Sequence, residues 1–473
     1  MKHNQSKSVF DYYGKPSFGK ALPLSFQHIL AMIMGAVTPP LIVAGVAGAT
    51  AQETMLLVQI ALFFSGVSTL LQLYPVGRLG AGMPTIFGVG FAYVPSLIAI
   101  GSVYGIPGIL GAQIAGGIAM IIVGIFIKQI RHLFPPVVAG TVVLVIGLSL
   151  YDIAIKYMAG SGNTAAEGFG SGQNWLVGLT TLAVVLCCSQ FAKGYFRLAA
   201  IIVGILVGYT MSFFFGMVDF TRLADAPWVM IPTPFAMGIE FHTSAVISMV
   251  VICIVNSVQT IGDLSATAIG GMGREMKDSE LSGGLLGNGL CTLVGSCFGS
   301  LPTASFSQNV GIVAMTKVIS RYVLGIAAVF LILAGLLPKF GAAMTTIPYP
   351  VLGGATIIVF GMITMTGIQL LVKDELSSRN ITIAALAVAL AMGINTVPEA
   401  IAQLPDTARM LIGSPVIVAA TVAFVLNMIL PQKSLKDEAR EREQIEREMN
   451  GGDGGEKCDA SFQNKDMKME ASN

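Results

Sequence analysis

Charge is scarce in this sequence. Only 11% of its 473 residues are Asp, Glu, Lys or Arg, where soluble domains carry about 25%. A soluble fold is excluded, because a water-facing surface for a chain this long needs more polar side chains than are present. The little charge there is nearly cancels, to a formal +1. No basic face is concentrated anywhere, which excludes nucleic acid or another polyanion as the main partner. Cysteine is sparse and unpatterned. Cys187, Cys188, Cys253, Cys291 and Cys297 fall in apolar segments and Cys458 in a polar tail, so they read as small buried thiols, with no metal site and no disulfide framework. HExxH, GxSxG and P-loop patterns are also missing, which sets a membrane enzyme aside.

What the chain has instead is apolar length. It is 54% hydrophobic, with a mean hydropathy of +0.76. Crossing about 30 Å of hydrocarbon takes ~20 residues, and apolar runs of that order lie near 22–47, 55–73, 106–127, 133–152, 173–192, 196–217, 243–262, 322–338, 349–372, 380–396 and 411–430. Three further segments, near 84–102, 283–300 and 303–317, are interrupted by glycine or polar residues. Together these predict an all-α polytopic membrane protein of fourteen spans. The first run contains a Thr-Pro-Pro break and precedes a signal-peptidase-like Ala49-Thr50-Ala51, but it is too long for a signal peptide and is read as span 1. With the N-terminus inside, the inner loops hold eleven cations (Arg78, Lys128, Arg131, Lys193, Arg197, Arg274, Lys277, Lys317, Arg321, Lys373 and Arg379). The outer loops hold four, Lys156, Arg222, Lys339 and Arg409. That bias places both termini in the cytoplasm and the chain in the cytoplasmic (inner) membrane.

The halves repeat. Pro136 to Gly147 matches Pro350 to Gly361 at an offset of 214, with the proline, two valines and two glycines in register, and Gly82 to Thr85 matches Ser300 to Thr303 at an offset of 218. A period of seven spans, an odd number, inverts the second half relative to the first, as in secondary transporters. The expected organisation is a cytoplasmic tail over 1–20, inverted repeats over 21–218 and 219–431, and a charged cytoplasmic tail over 432–473. That tail reads as a helix followed by Gly-rich disorder.

In such folds the ligand sits at mid-membrane, between half-helices that open there. The segments after Pro84-Thr85 and Pro302-Thr303 occupy corresponding positions. Each is expected to be a short extended stretch followed by a half-helix, from about Ala92 in one and from Asn309 or Val310 in the other. Their N-terminal N–H groups aim at whatever lies between. Gln308 and Asn309 interrupt the second segment, and Gly90 and Phe91 lie in the first. Polar residues on neighbouring spans are His28 in span 1, Gln259 and Asp263 one turn apart in span 8, and Asn288 among the glycines of span 9.

These residues resemble the nucleobase–ascorbate transporters, also called nucleobase:cation symporters of the second type. The resemblance rests on Gln27-His28, on the Thr-Ile-Gly-Asp ending at Asp263, and on the motif Gln308-Asn309-Val310-Gly311 with Thr316 five residues on. It covers about residues 20 to 431. It implies a core domain (spans 1–4 and 8–11) rocking against a gate domain (spans 5–7 and 12–14), a homodimer, and cation-coupled uptake of a purine or pyrimidine base with proton or sodium as coupling ion and no cofactor. Glutamine at the first motif position resembles the xanthine and uric acid branch. It implies Gln308, Gln259, Phe91, Gly90 and Val310 at the base, with His28, Asp263, Asn288, Asn309 and Thr316 in support or coupling. A glutamine amide can pair with the adjacent C=O and N–H of a purine-dione edge, and Phe91 can stack on the ring. The chain departs from the family at Gln259, where a glutamate is usual, and at Asn288, where an aspartate is usual. Asp263 and His28 are then the titratable groups left. Alternatives are a uric acid or uracil permease, an uncoupled facilitator, and, from another class, an anion transporter of the sulfate or bicarbonate type, many of which carry a folded cytoplasmic domain after the last span.

Overall fold

Fourteen spans emerge once interrupted helices are counted by what interrupts them. The computed structural model describes residues 7–450 apart from 131–134, 194, 221–222, 224–226 and 432–434. Loop cations Arg131 and Arg222, Cys458 and the expected Gly-rich disorder lie outside the described residues. Among these residues nine helices are long and apolar enough to cross a membrane, and the pair Arg321–Gly335 and Pro338–Thr345, bent by 81°, makes a tenth. The helix Val94–Ile125 holds two predicted spans, because Gly105 (φ 65, ψ −167) breaks it two residues before Pro107. The shorter apolar helices Ala200–Phe214 and Pro415–Ile429 supply spans 7 and 14, and Thr303–Thr316 supplies span 10. The charged helix expected after the last span is present at Leu435–Asn450.

Local chemistry accounts for the boundaries. Thr50, the centre of the signal-peptidase-like triplet, is an N-cap: its side chain accepts from the Glu53 N–H while Glu53 reaches back to the Thr50 N–H, so span 2 starts there. Span 8 extends further than its apolar run. Its helix is Thr243–Met272, ended by Gly273 in the left-handed region (φ 67). Asp263 is therefore buried mid-helix and not at a solvated end.

Spans 5 and 12 pack against each other, with 6, 7, 13 and 14 around them, while spans 3, 4, 8 and 9 form one cluster with spans 1, 2 and 11 beside it. The repeated prolines open the helices Pro136–Ser149 and Tyr349–Val372. The repeated glycines let backbones touch: a Cβ on Gly147 would lie 2.5 Å from the Thr364 nitrogen, and one on Gly354 would lie 2.2 Å from the Gly178 oxygen. Large apolar side chains such as Leu179, Leu186, Leu206 and Phe214 remain on the outside, which in a bilayer is where apolar surface belongs.

At the centre, strands β1 (Phe87–Val89) and β2 (Thr303–Ser305) pair antiparallel, with Phe87 opposite Ser305, Gly88 opposite Ala304 and Val89 opposite Thr303. An offset of 216 residues, midway between those of the two sequence repeats, maps Gly88 onto Ala304, the pair at the middle of the ladder. The two-fold that relates the halves thus passes through the middle of the strand pair.

Candidate functional site

The β1–β2 pair is only three residues long on each strand, so its position depends on what grips it. Thr69 Oγ1 accepts from the Phe87 N–H (3.1 Å) and donates to its carbonyl (2.9 Å). Behind β2, Thr303 Oγ1 donates to Asn288 Oδ1 (2.7 Å), and its N–H reaches Thr292 Oγ1 (3.2 Å). Tyr93, in the turn after β1, donates to Asn256 Oδ1 at 2.7 Å, with the Thr303 carbonyl 3.2 Å away. Gly90 follows β1 where the two segments pass closely. A Cβ on it would lie 2.6 Å from the Ala304 Cβ.

After β2, Asp263 accepts from Ser305 Oγ (2.5 Å) and from Ser307 Oγ (2.8 and 3.0 Å). The carboxylate therefore clasps the chain on both sides of Phe306. That ring fills the space left by Gly35 and Gly88, where Cβ atoms would approach to 2.4 and 2.8 Å. The half-helix then runs Ser307–Thr316, opening two residues earlier than expected, because the Asn309 and Val310 amides already turn back to the Phe306 carbonyl. Asn309 Nδ2 donates to the His28 carbonyl (3.0 Å) and contacts His28 Nδ1 (3.1 Å). A carbonyl only accepts, so the amide nitrogen must face it. Nδ1 is then an acceptor, and a neutral His28 carries its proton on Nε2.

These supports enclose a cavity of about 180 Å³ lined by Gly90, Phe91, Gln259, Ser305, Ser307 and Gln308 on one side and by Val143, Ile146, Met362, Ile363 and Thr366 of spans 5 and 12 on the other. Among the described residues no ionisable side chain lines it. Phe91 is fixed edge-on against Phe360 (ring centroids 5.2 Å apart).

Of the residues expected at the base, Gln308, Gln259, Phe91 and Gly90 meet in this cavity. Val310 does not. It is buried two positions past Gln308, the last residue of this helix in the lining. His28, Asn309, Asp263 and Asn288 stand behind the lining as braces, and Thr316 bonds the Ile312 carbonyl (2.8 Å) at the far end of the half-helix. Tyr93, Asn256, Thr292, Thr303, Ser305 and Ser307 were missed. Their sequence signal was a hydroxyl or amide in an apolar run, which is also how ordinary helix-packing residues look.

Comparison with known proteins agrees with this arrangement. The chain is 37% identical to a xanthine permease of Bacillus subtilis over 87% of this chain and 94% of that one. It is 38% identical to the uric acid permease PucK of the same organism, over 87% and 95%. It is 34% identical to the xanthine permease XanQ of Escherichia coli, over 91% and 95%. Its fold is similar to the transmembrane domain of the cyanobacterial bicarbonate transporter BicA, with a TM-score of 0.54 at 16% identity, covering 87% of this chain and 98% of that one. It is also similar to SLC26A9, with a TM-score of 0.59 at 12% identity, covering 88% and 67%. Those two share the architecture, whereas the sequence itself, matched over residues 19–400, makes this chain a member of the Permease family, Xan_ur_permease.

Proposed function

We propose that this permease imports an oxopurine nucleobase, xanthine first among them, across the cytoplasmic membrane. The observation that carries the reading is the uncharged cavity in which Gln259, Gln308 and Phe91 meet. An anion such as sulfate or bicarbonate needs a cation or a dense set of donors, while a neutral planar base needs amide pairs along its edge and an aromatic ring beside it. Gln308 supplies the amide pair from the start of a half-helix, Gln259 a second amide from span 8, and Phe91 the ring. Gly90 keeps the strand pair thin enough for the base to lie against it, and Val310 supports the helix from behind. The names of the relatives agree with this ligand class.

The braces imply roles. Asp263 holds the strand pair to span 8, Asn309 and His28 lock the half-helix to span 1, and Asn288 fixes β2. With neutral amides at 259 and 288, the cavity has no carboxylate to carry a proton, and uptake then depends little on the proton gradient. We place the repeats at 21–218 and 219–431, both tails in the cytoplasm, and two chains in the functional unit. Uptake of radiolabelled xanthine in a transport-deficient host, competed by uric acid, hypoxanthine, guanine, uracil and sulfate, tests the reading. Competition by oxopurines alone is the expected result, and competition by sulfate with none by purines would overturn it.

A further inference from the structure

The base must reach the cavity from the face of the molecule where span 1 ends and span 12 begins, and on that side the structure is closed. A stack of features marks where it opens. Near the ends of the two spans lies a vestibule of about 540 Å³, with Leu41 and Gly45 of span 1 and Tyr349 and Leu352 of span 12 in its wall. Between it and the cavity lies a void of about 10 Å³, walled by Gly35 and Thr38 of span 1 and Thr356 and Val359 of span 12, which shares Phe91 and Gln308 with the cavity below. On span 1 the positions 31, 34/35, 38, 41 and 45 recur every three or four residues, and so do 349, 352, 355/356, 359 and 362/363 on span 12. Each set is one face of its helix. The span 12 face runs from vestibule to cavity, and the span 1 face runs from vestibule to the void that adjoins the cavity at Phe91 and Gln308.

Thr38 lies in the middle of this seam and differs from the other buried hydroxyls of spans 1 and 12, although Ser68, Ser96, Ser248, Thr260 and Ser414 on other elements share its condition. It is fully buried, and its hydroxyl has no hydrogen-bond partner. Other buried hydroxyls on these helices bond the carbonyl four residues back, as Ser25 does to Ala21 (2.9 Å) and Thr356 to Leu352 (2.8 Å). Pro39 and Pro40 follow it and supply no N–H to the carbonyls of Gly35 and Ala36, so those two carbonyls lack their usual intrahelical donors. An unbonded hydroxyl in an apolar seam is costly unless something uses it.

We propose that the nucleobase travels between spans 1 and 12, and that Thr38 is its contact on that route, the hydroxyl hydrogen-bonding the edge of a neutral oxopurine between the vestibule and the Phe91–Gln308 cavity. This rests on the transport reading and orientation given above. The seam opens when the span 1 and span 12 faces part, and it closes behind the base as Leu41 and Leu352 come back together.

The test uses the full-length carrier with its native cysteines replaced, in intact cells, with Thr38→Cys added and a membrane-impermeant methanethiosulfonate applied outside. The expected result is loss of most xanthine uptake on modification, slowed by excess xanthine. An active Thr38→Cys carrier that resists the reagent, or is modified without loss of uptake, overturns the route. Thr38→Val keeps the shape and removes only the hydroxyl, and it is expected to raise the KM for xanthine about fivefold. An unchanged KM assigns the void to one structural water and overturns the contact. Absence of xanthine uptake by the unsubstituted carrier would instead refute the transport reading itself, so the two failures are distinguishable.

Discussion

Adding a single methyl group at Gly90 tests the geometry of the site most directly. The backbone there is extended (φ −99, ψ 140), a conformation alanine adopts freely, so Gly90→Ala carries no conformational penalty. What it meets is Ala304 across the strand pair, Cβ to Cβ at 2.6 Å. Carbon atoms rest at about 3.5–4.0 Å, so the strands must part by about 1 Å, and overpacking of this kind costs about 1–3 kcal/mol. Because the same strand pair leads into Phe91 on one side and Gln308 on the other, the displacement falls on the cavity. If half or more of that cost appears in binding, the KM for xanthine rises on the order of threefold to a hundredfold. The compensating change is Ala304→Gly. It removes the colliding atom, and the next neighbours of the new methyl are Tyr93 ring carbons at 3.6 and 3.7 Å, an ordinary contact. Uptake kinetics of the two single variants and the double variant, at matched membrane levels, decide the matter. The double variant should recover most of the lost affinity. Recovery no better than Gly90→Ala alone, or a Gly90→Ala carrier with normal KM, refutes the reasoning.

Gln308→Ala should abolish or strongly weaken xanthine uptake at normal membrane expression, since a buried polar contact is worth about 1–3 kcal/mol; an unchanged KM would remove Gln308 from the site. Asp263→Ala leaves the hydroxyls of Ser305 and Ser307 without their acceptor and should lower the melting temperature in detergent as well as uptake, with Asp263→Asn milder because one amide oxygen still accepts. A carrier melting normally without that carboxyl would show that the clasp is not needed. Tyr93→Phe leaves Asn256, whose Nδ2 already has no partner, with no side-chain hydrogen bond at all, and should destabilise the protein by about 1–3 kcal/mol in thermal unfolding. Restoring both carboxylates, Gln259→Glu with Asn288→Asp, should make uptake depend more steeply on external pH and on protonophores. If the unsubstituted carrier itself collapses when the proton gradient is dissipated at constant sodium, the amides do not set the coupling, and Asp263→Asn becomes the variant to assay.

Fold class and span count were legible in the sequence, because both follow from apolar length and from a repeat long enough to count helices across. The sequence also located Gln308, Gln259, Phe91 and Gly90, since amides, an aromatic ring and a glycine at broken helices are unusual in a bilayer. Which polar residues line the cavity and which hold the scaffold depends on how distant spans pack, and that is read from the structure. Asp263, expected in support or coupling, lies buried within the span 8 helix, which runs on to Met272 and brings its carboxylate to two serines more than forty residues away. His28 and Asn309 are 281 residues apart and meet only when span 1 crosses span 10. Thr38 carried no signal at all in the sequence. Its hydroxyl became informative only when the packing buried it without a partner, in the seam between two helices that the chain visits more than three hundred residues apart.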